Sequence, residues 1–177
     1  KAEILGWGYR MTEMEAALGI VQLSKLNKMN QERIKLTKYL TKKINSIDGL
    51  KHTKYENVKH VYYVYAFSYD GEKIGIDRDK FCEALKAEGI PCNAGYVKPL
   101  YLNPLYTERR TFAFKHYKGN TKYEKGICPI AESLYEKSVV LIPVCRPPAT
   151  LKDMDDIFNA ISKIIKNKNE FEMKGNT

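Results

Sequence analysis

From Glu13 to about Ile47 the apolar positions return at helical spacing. Leu18, Leu26, Met29, Leu36, Leu40, Ile44 and Ile47 stand three or four residues apart, or at multiples of that step, with Gln22 and Arg33 interrupting the seam. Ala16, Ala17, Ile20, Val21 and Leu23 widen the apolar arc in the first half, which reads as buried on several sides. The second half carries one stripe among Lys, Thr and Asn and reads as lying on a surface. Thr12 and Glu15 have the Thr-x-x-Glu spacing of a capping box, and Asp48-Gly49 closes the segment. A helix of about 35 residues runs about 50 Å, and Asn27 to Asn30 is the place for a bend.

The period then changes to two. Val61, Tyr63, Tyr65, Phe67 and Tyr69 alternate with His60, Tyr62, Val64, Ala66 and Ser68, which predicts a strand over His60 to Tyr69 turned by Asp70-Gly71. Asp77 caps a short helix with Phe81, Cys82 and Leu85 inside, closed by Gly89. Ile90 to Val97 reads as a second strand, and Pro99 and Pro104 bracket a loop holding Tyr101 and Tyr106. Thr107 to Gly126 is crowded with Lys, Arg, Tyr and Thr without a period: either a mobile loop or a segment ordered by a partner. Pro129 opens a helix, Val139 to Ile142 is a third strand, and Thr150 caps a last helix striped by Met154, Ile157, Phe158, Ile161, Ile164 and Ile165. This order predicts an α+β fold: a small sheet of about three strands, helices packed on it, and one long N-terminal helix. The fold is expected to fill residues 1–167, and residues 168–177 to form a disordered polar tail.

Composition narrows the function classes. Thirty Lys and Arg against 21 Asp and Glu give a formal charge of +9, but the lysines are spread along helices and the 115–125 segment. That distribution favours a solvated surface over a nucleic-acid patch, and it still suits a phosphate or a nucleotide-linked sugar. No apolar run reaches the roughly 20 residues of a membrane span, so a cytoplasmic protein without membrane partners is expected. Cys82, Cys92, Cys128 and Cys145 form no Cys-x-x-Cys pair and read as buried free thiols. His52, His60 and His116 lack ligand spacing, and no metal is expected.

The most distinctive stretch is Gly6-Trp7-Gly8-Tyr9-Arg10, which runs straight into the capped helix. It sets a flexible backbone, aromatic rings and a fixed positive charge beside free helical N–H groups, which suits an anion. A plainer role for Arg10 is pairing with Glu13 or Glu15.

Arg10-Met11-Thr12-Glu13-Met14-Glu15-Ala16-Ala17-Leu18-Gly19, with Gln22-Leu23 and Leu26, resembles the signature that opens the C-terminal part of DegT/StrS-type sugar aminotransferases. The likeness continues through His60-Val61-Tyr62-Tyr63-Val64-Tyr65, Gly89-Ile90-Pro91, Pro99-Leu100-Tyr101, Cys128-Pro129-Ile130-Ala131-Glu132 and Asp153-Met154-Asp155-Asp156-Ile157. The resemblance implies a pyridoxal-phosphate enzyme of the aspartate-aminotransferase-like superfamily that aminates a keto-sugar or keto-cyclitol, possibly nucleotide-linked, with glutamate or glutamine as donor. It also implies an antiparallel sheet and a homodimer. In such enzymes the lysine that holds the cofactor aldehyde and the aspartate on its ring nitrogen lie upstream of the Arg-Met-Thr-Glu helix. The chain is therefore expected to be a C-terminal half without a catalytic residue of its own, inactive apart from its cofactor domain.

For individual residues, the resemblance places Arg10 as an active-site arginine. It puts Gly8 where relatives usually carry an asparagine that reaches the partner subunit's cofactor phosphate. His60, Tyr96 and Tyr101 become candidates for the substrate pocket, and Gly95-Tyr96 stands where many relatives carry His-Tyr. The alternative reading is a binding or assembly module that keeps this fold without the lysine domain.

Overall fold

The computed structural model describes residues 8–53, 56–110 and 112–172. Helix α1 (Glu13–Ile44) leads the chain. It is followed by β1 (Leu50–Lys51), β2 (Tyr65–Tyr69), α2 (Gly71–Ile74), α3 (Arg78–Ala87) and β3 (Asn93–Ala94). After a tight turn at Leu100–Leu102 come α4 (Pro104–Thr107), α5 (Pro129–Ser133), β4 (Val139–Ile142), α6 (Leu151–Lys166) and α7 (Asn169–Glu172). A π-type turn, Leu134–Ser138, joins α5 to β4.

The four strands form one antiparallel sheet in the order β1-β2-β4-β3. Leu50 pairs with Tyr69, Tyr65 with Ile142, and Ala94 with Val140. Tyr65, Phe67 and Tyr69 of β2 and Val140 and Ile142 of β4 meet three helices in one core. Those helices are the end of α1 (Leu36, Leu40, Ile44), α3 (Phe81, Cys82, Leu85) and α6 (Met154, Ile157, Ile161, Ile164). The result is the expected α+β layer.

Local chemistry sets several boundaries where the sequence places them. The Asp77 carboxylate accepts the N–H groups of Asp79 and Lys80 at 2.9 and 3.3 Å and starts α3. Gly89 leaves that helix at φ +85°, the left-handed region where glycine is free of strain. Asp153 accepts both the N–H and the hydroxyl of Thr150 at 2.6 Å, starting α6.

Other expectations need correction. Helix α1 stops at Ile44 rather than Ile47. The sheet has a fourth strand, β1, whose two residues are too few to show a period. The alternation from His60 yields strand only from Tyr65, because Tyr62 turns at φ +50°, which no strand accommodates. The second predicted strand shrinks to Asn93–Ala94, since Gly95 leaves at φ +72°. Residues 169–172 form α7 where a disordered tail is expected, with Phe171 packed against the core. The remainder of the predicted tail, 173–177, lies outside the described residues.

The largest departure lies in α1. Its first half was expected to be buried on several sides, yet Met14 is 79% and Leu18 66% exposed, and Ile20 and Leu23 are exposed as well. Leu40, on the same helix, is 0% exposed. The sheet and α6 reach only the last turns of α1, so the apolar arc of the first half has no cover among the described residues. No described helix is long and apolar enough to cross a membrane.

Candidate functional site

The head of α1 is built by its capping box. Glu15 accepts the Thr12 N–H at 2.8 Å and the Thr12 hydroxyl at 2.9 Å, while the Thr12 oxygen accepts the Glu15 N–H at 3.3 Å. The bond from the Thr12 backbone holds the Glu15 carboxyl below its ordinary range. Glu15 is thus committed to Thr12. Arg10 is exposed and makes no ion pair with Glu13 or Glu15 among the described residues. Gly8 is open as well: a Cβ there would meet nothing within 4 Å, so no steric demand fixes a glycine at this position.

Tyr96 and Tyr101 follow β3, at the end of the sheet where β4 begins. The Gly95 N–H donates to the Val139 carbonyl at 2.8 Å, and a Cβ on Gly95 would fall 2.5 Å from the Tyr135 carbonyl oxygen. That same carbonyl accepts Arg78 Nη1 at 2.6 Å, and Arg78 is buried with its Nε on Asp79 at 2.9 Å. The backbone of the π-type turn is therefore held hard against residue 95, and a histidine in its place would clash. Gly95→Ala is expected to lower stability by about 1–3 kcal/mol from the left-handed φ alone, before the clash is added. A thermal melt that matches the unsubstituted chain would contradict this packing.

Tyr96 is 59% exposed and free to face a ligand. Tyr101 is otherwise engaged: its hydroxyl donates to Glu132, a carboxylate only 5% exposed. Burial, reinforced by that carboxylate, pushes the Tyr101 hydroxyl up to about 12. Glu132 is held below its ordinary range by Tyr101 first, then by the Gly126 and Cys128 N–H groups. Glu132 and Arg78 both escape sequence reading as site residues. The only signal for Glu132 is its place three residues after Pro129 in the Cys-Pro-Ile-Ala-Glu block.

Between Tyr101 and Gly126 the aperiodic segment folds on itself. The rings of Tyr106, Phe114 and Tyr123 contact one another with centroids 5.5 to 6.2 Å apart, and Tyr117 packs on Phe114 at 5.7 Å. Arg109 lies over Tyr117 at 5.2 Å and donates to the Thr121 carbonyl at 2.9 Å. These aromatic rings give the segment order of its own. Lys115, Lys118 and Lys122 stay exposed on it.

His60 is not brought to this group. It precedes β2, whose first residue Tyr65 pairs with Ile142 at the far end of β4, while Ala94 pairs with Val140 near the beginning of β4. His60 lines a pocket of about 660 Å³ with Lys38, Thr41, His52, Lys59 and Tyr62. Its Nδ1 accepts the Tyr62 N–H at 3.1 Å. Burial lowers the pKa of neighbouring His52, which stacks on Tyr65 at 4.9 Å. A larger cavity of about 1100 Å³ runs along β1 and α2 past Asp48, Asp70, Lys73 and Arg78, and includes none of the predicted residues.

Three cysteines are buried as expected, but Cys128 is exposed because it caps α5 at the loop mouth. Among the described residues no cluster of His, Cys, Asp or Glu could hold a metal ion. No described lysine is buried either.

The profile of the DegT/DnrJ/EryC1/StrS aminotransferase family matches residues 1–162. The chain belongs to that family. It is 34% identical over 161 residues to the uncharacterized protein MJ1066 of Methanocaldococcus jannaschii, covering 90% of this chain and 38% of that protein. It is 29% identical to a provisionally named L-glutamine:3-amino-2,3-dideoxy-scyllo-inosose aminotransferase of Streptoalloteichus tenebrarius, covering 94% of this chain and 42% of that one. Its fold matches the aminotransferase from Psychrobacter cryohalolentis with a TM-score of 0.73 at 22% identity, over 94% of this chain and 42% of that structure. The chain thus spans about two-fifths of the length of the curated relatives it matches.

Proposed function

We propose that this chain is the C-terminal part of a pyridoxal-phosphate-dependent aminotransferase that aminates a keto-sugar or keto-cyclitol with glutamate or glutamine as donor. The observation that carries the reading is the head of α1: a capped helix whose guanidinium, Arg10, is left without a carboxylate partner among the described residues. A cationic group so exposed, on a segment matching the family's opening signature, suits an anionic group brought by the rest of the enzyme. Pyridoxal phosphate, when bound, supplies the electron sink for nitrogen transfer. Its lysine is assigned to the part of the protein outside this chain.

This chain's share is binding and orientation. Arg10 holds an anion of cofactor or substrate, and the open backbone at Gly8 leaves room for a phosphate to approach. Tyr96 and the ring of Tyr101 form a wall that stacks on a polyol. His60, at the other end of the sheet, serves a separate part of the pocket. The exposed first half of α1 is covered by the cofactor domain or by a second subunit of a homodimer. The scyllo-inosose enzyme among the relatives supports a cyclitol as one candidate acceptor.

Arg10 gives the test. In the complete enzyme Arg10→Ala is expected to lower kcat/KM about ten- to a hundredfold, the cost of losing a hydrogen-bonded charge on a ligand. Its melting temperature should stay put, because Arg10 makes no ion pair among the described residues. Normal kinetics with a lowered melting temperature would remove Arg10 from the site.

A further inference from the structure

We propose that Glu132 is the positioning residue that closes the loop from Tyr101 to Gly126 and thereby sets the wall that Tyr96 and Tyr101 present to substrate. The substrate-facing part rests on the function proposed above; the closure of the loop does not.

The geometry is that of a knot. The Tyr101 hydroxyl, from the outgoing stem, donates to Glu132 Oε1. The Gly126 N–H, from the returning stem, donates to both carboxylate oxygens at 2.8 and 2.9 Å. The Cys128 N–H adds a longer bond of 3.4 Å. Tyr101 lies 31 residues from Glu132 in sequence and Gly126 only six, so one side chain joins two stems remote in sequence, which the Cys128 N–H also links at the Tyr101 hydroxyl. Gly126 sits at φ +103°, a backbone conformation that side-chain-bearing residues rarely adopt. Beside it, Lys125 pairs with Glu136 at 2.6 Å, which ties the same stem to the π-type turn.

A buried carboxylate suits this task because hydrogen bonds to an ionised acceptor are stronger than neutral ones, and two oxygens serve three donors. A glutamine of the same shape offers one acceptor oxygen and turns an amide donor toward one of those donors. Within the loop, the cluster of Tyr106, Phe114, Tyr117 and Tyr123 keeps its own contacts. Untying the stems therefore frees the loop as one body. Tyr101 is displaced with it, and the wall proposed above is left incomplete.

Hydrogen exchange by mass spectrometry on the full-length protein tests the closure. In Glu132→Gln, amides over 102–128 should exchange about ten- to a hundredfold faster, the range set by lost bonds to a charged group. Amides of β2, β4 and α6 should be unchanged. Tyr101→Phe should give a smaller rise over the same segment. Unchanged exchange over 102–128, or an equal rise through β2 and β4 in both variants, overturns the proposal. Kinetics then test the substrate-facing part. KM for the keto substrate should rise about tenfold in Glu132→Gln and less in Tyr101→Phe, while the half-reaction with the amino donor keeps its rate. Equal losses in both half-reactions overturn the positioning role. Wild-type enzyme that aminates no keto-sugar or keto-cyclitol overturns the proposed function and the substrate-facing part with it, while the exchange result stands on its own.

Discussion

The 177-residue chain by itself is expected to turn over no keto-sugar or keto-cyclitol, with activity appearing only when the rest of the enzyme is supplied. The physical reason is that no described lysine is enclosed. Every described lysine is at least partly solvated, and a lysine that holds a cofactor aldehyde needs a water-excluding pocket. Enzymes accelerate their reactions by about a millionfold or more, so the contrast should be near all-or-none. The purified chain is mixed with pyridoxal phosphate, amino donor and a keto-cyclitol, with and without the remaining part of the protein, and absorbance and product are followed. Turnover by the rigorously purified chain alone would sink the proposal of a two-part site. Inactivity of both parts together would favour the assembly-module reading instead.

The second large effect separates the two halves of α1. Leu40→Ala removes a fully buried side chain from the junction of α1 with the core and should cost the chain about 2–5 kcal/mol. Leu18→Ala, on the same helix and of identical chemistry, should change the chain's own stability by about 0.5 kcal/mol or less. In the complete enzyme the order of consequences changes. Leu18→Ala should then weaken association with whatever covers the first half, because wide apolar surfaces of this kind mark interfaces. Urea titrations of both variants, followed by sedimentation of the assembled protein, check both statements. A Leu18→Ala chain as destabilised as Leu40→Ala would show that the first half of α1 packs within this chain.

The features of the candidate site that could be read ahead of the structure are those whose signals are local. Arg10 stands next to the Thr12–Glu15 box, and that box forms with the reciprocal bonds its spacing implies. What the spacing left open was where Arg10 would turn, and Glu15 settles part of that by binding Thr12 instead. Tyr101 was legible as an aromatic near the loop, but not as the donor to a carboxylate 31 residues away. His60 and Tyr96 look alike in sequence as strand-end residues, and only the pairing of β2 and β3 with β4 sends them to opposite ends of the sheet.

The sequence by itself determined the helix starts at Thr12, Asp77 and Thr150, the proline-led α5, the whole of β4 and the apolar stripes of α3 and α6. Each of these depends on residues within four positions of one another, where hydrogen-bond reach and side-chain period leave few alternatives. Tertiary structure decided the rest. Leu50–Lys51 became a strand because β2 offered its edge, and the alternation ahead of Tyr65 stayed irregular because Tyr62 turns and His60 takes its N–H. Gly95 must be glycine because Arg78 and the π-type turn bring the Tyr135 carbonyl against it. The same apolar pattern is buried at Leu40 and bare at Leu18, since a period specifies which face is apolar but not what arrives to cover it.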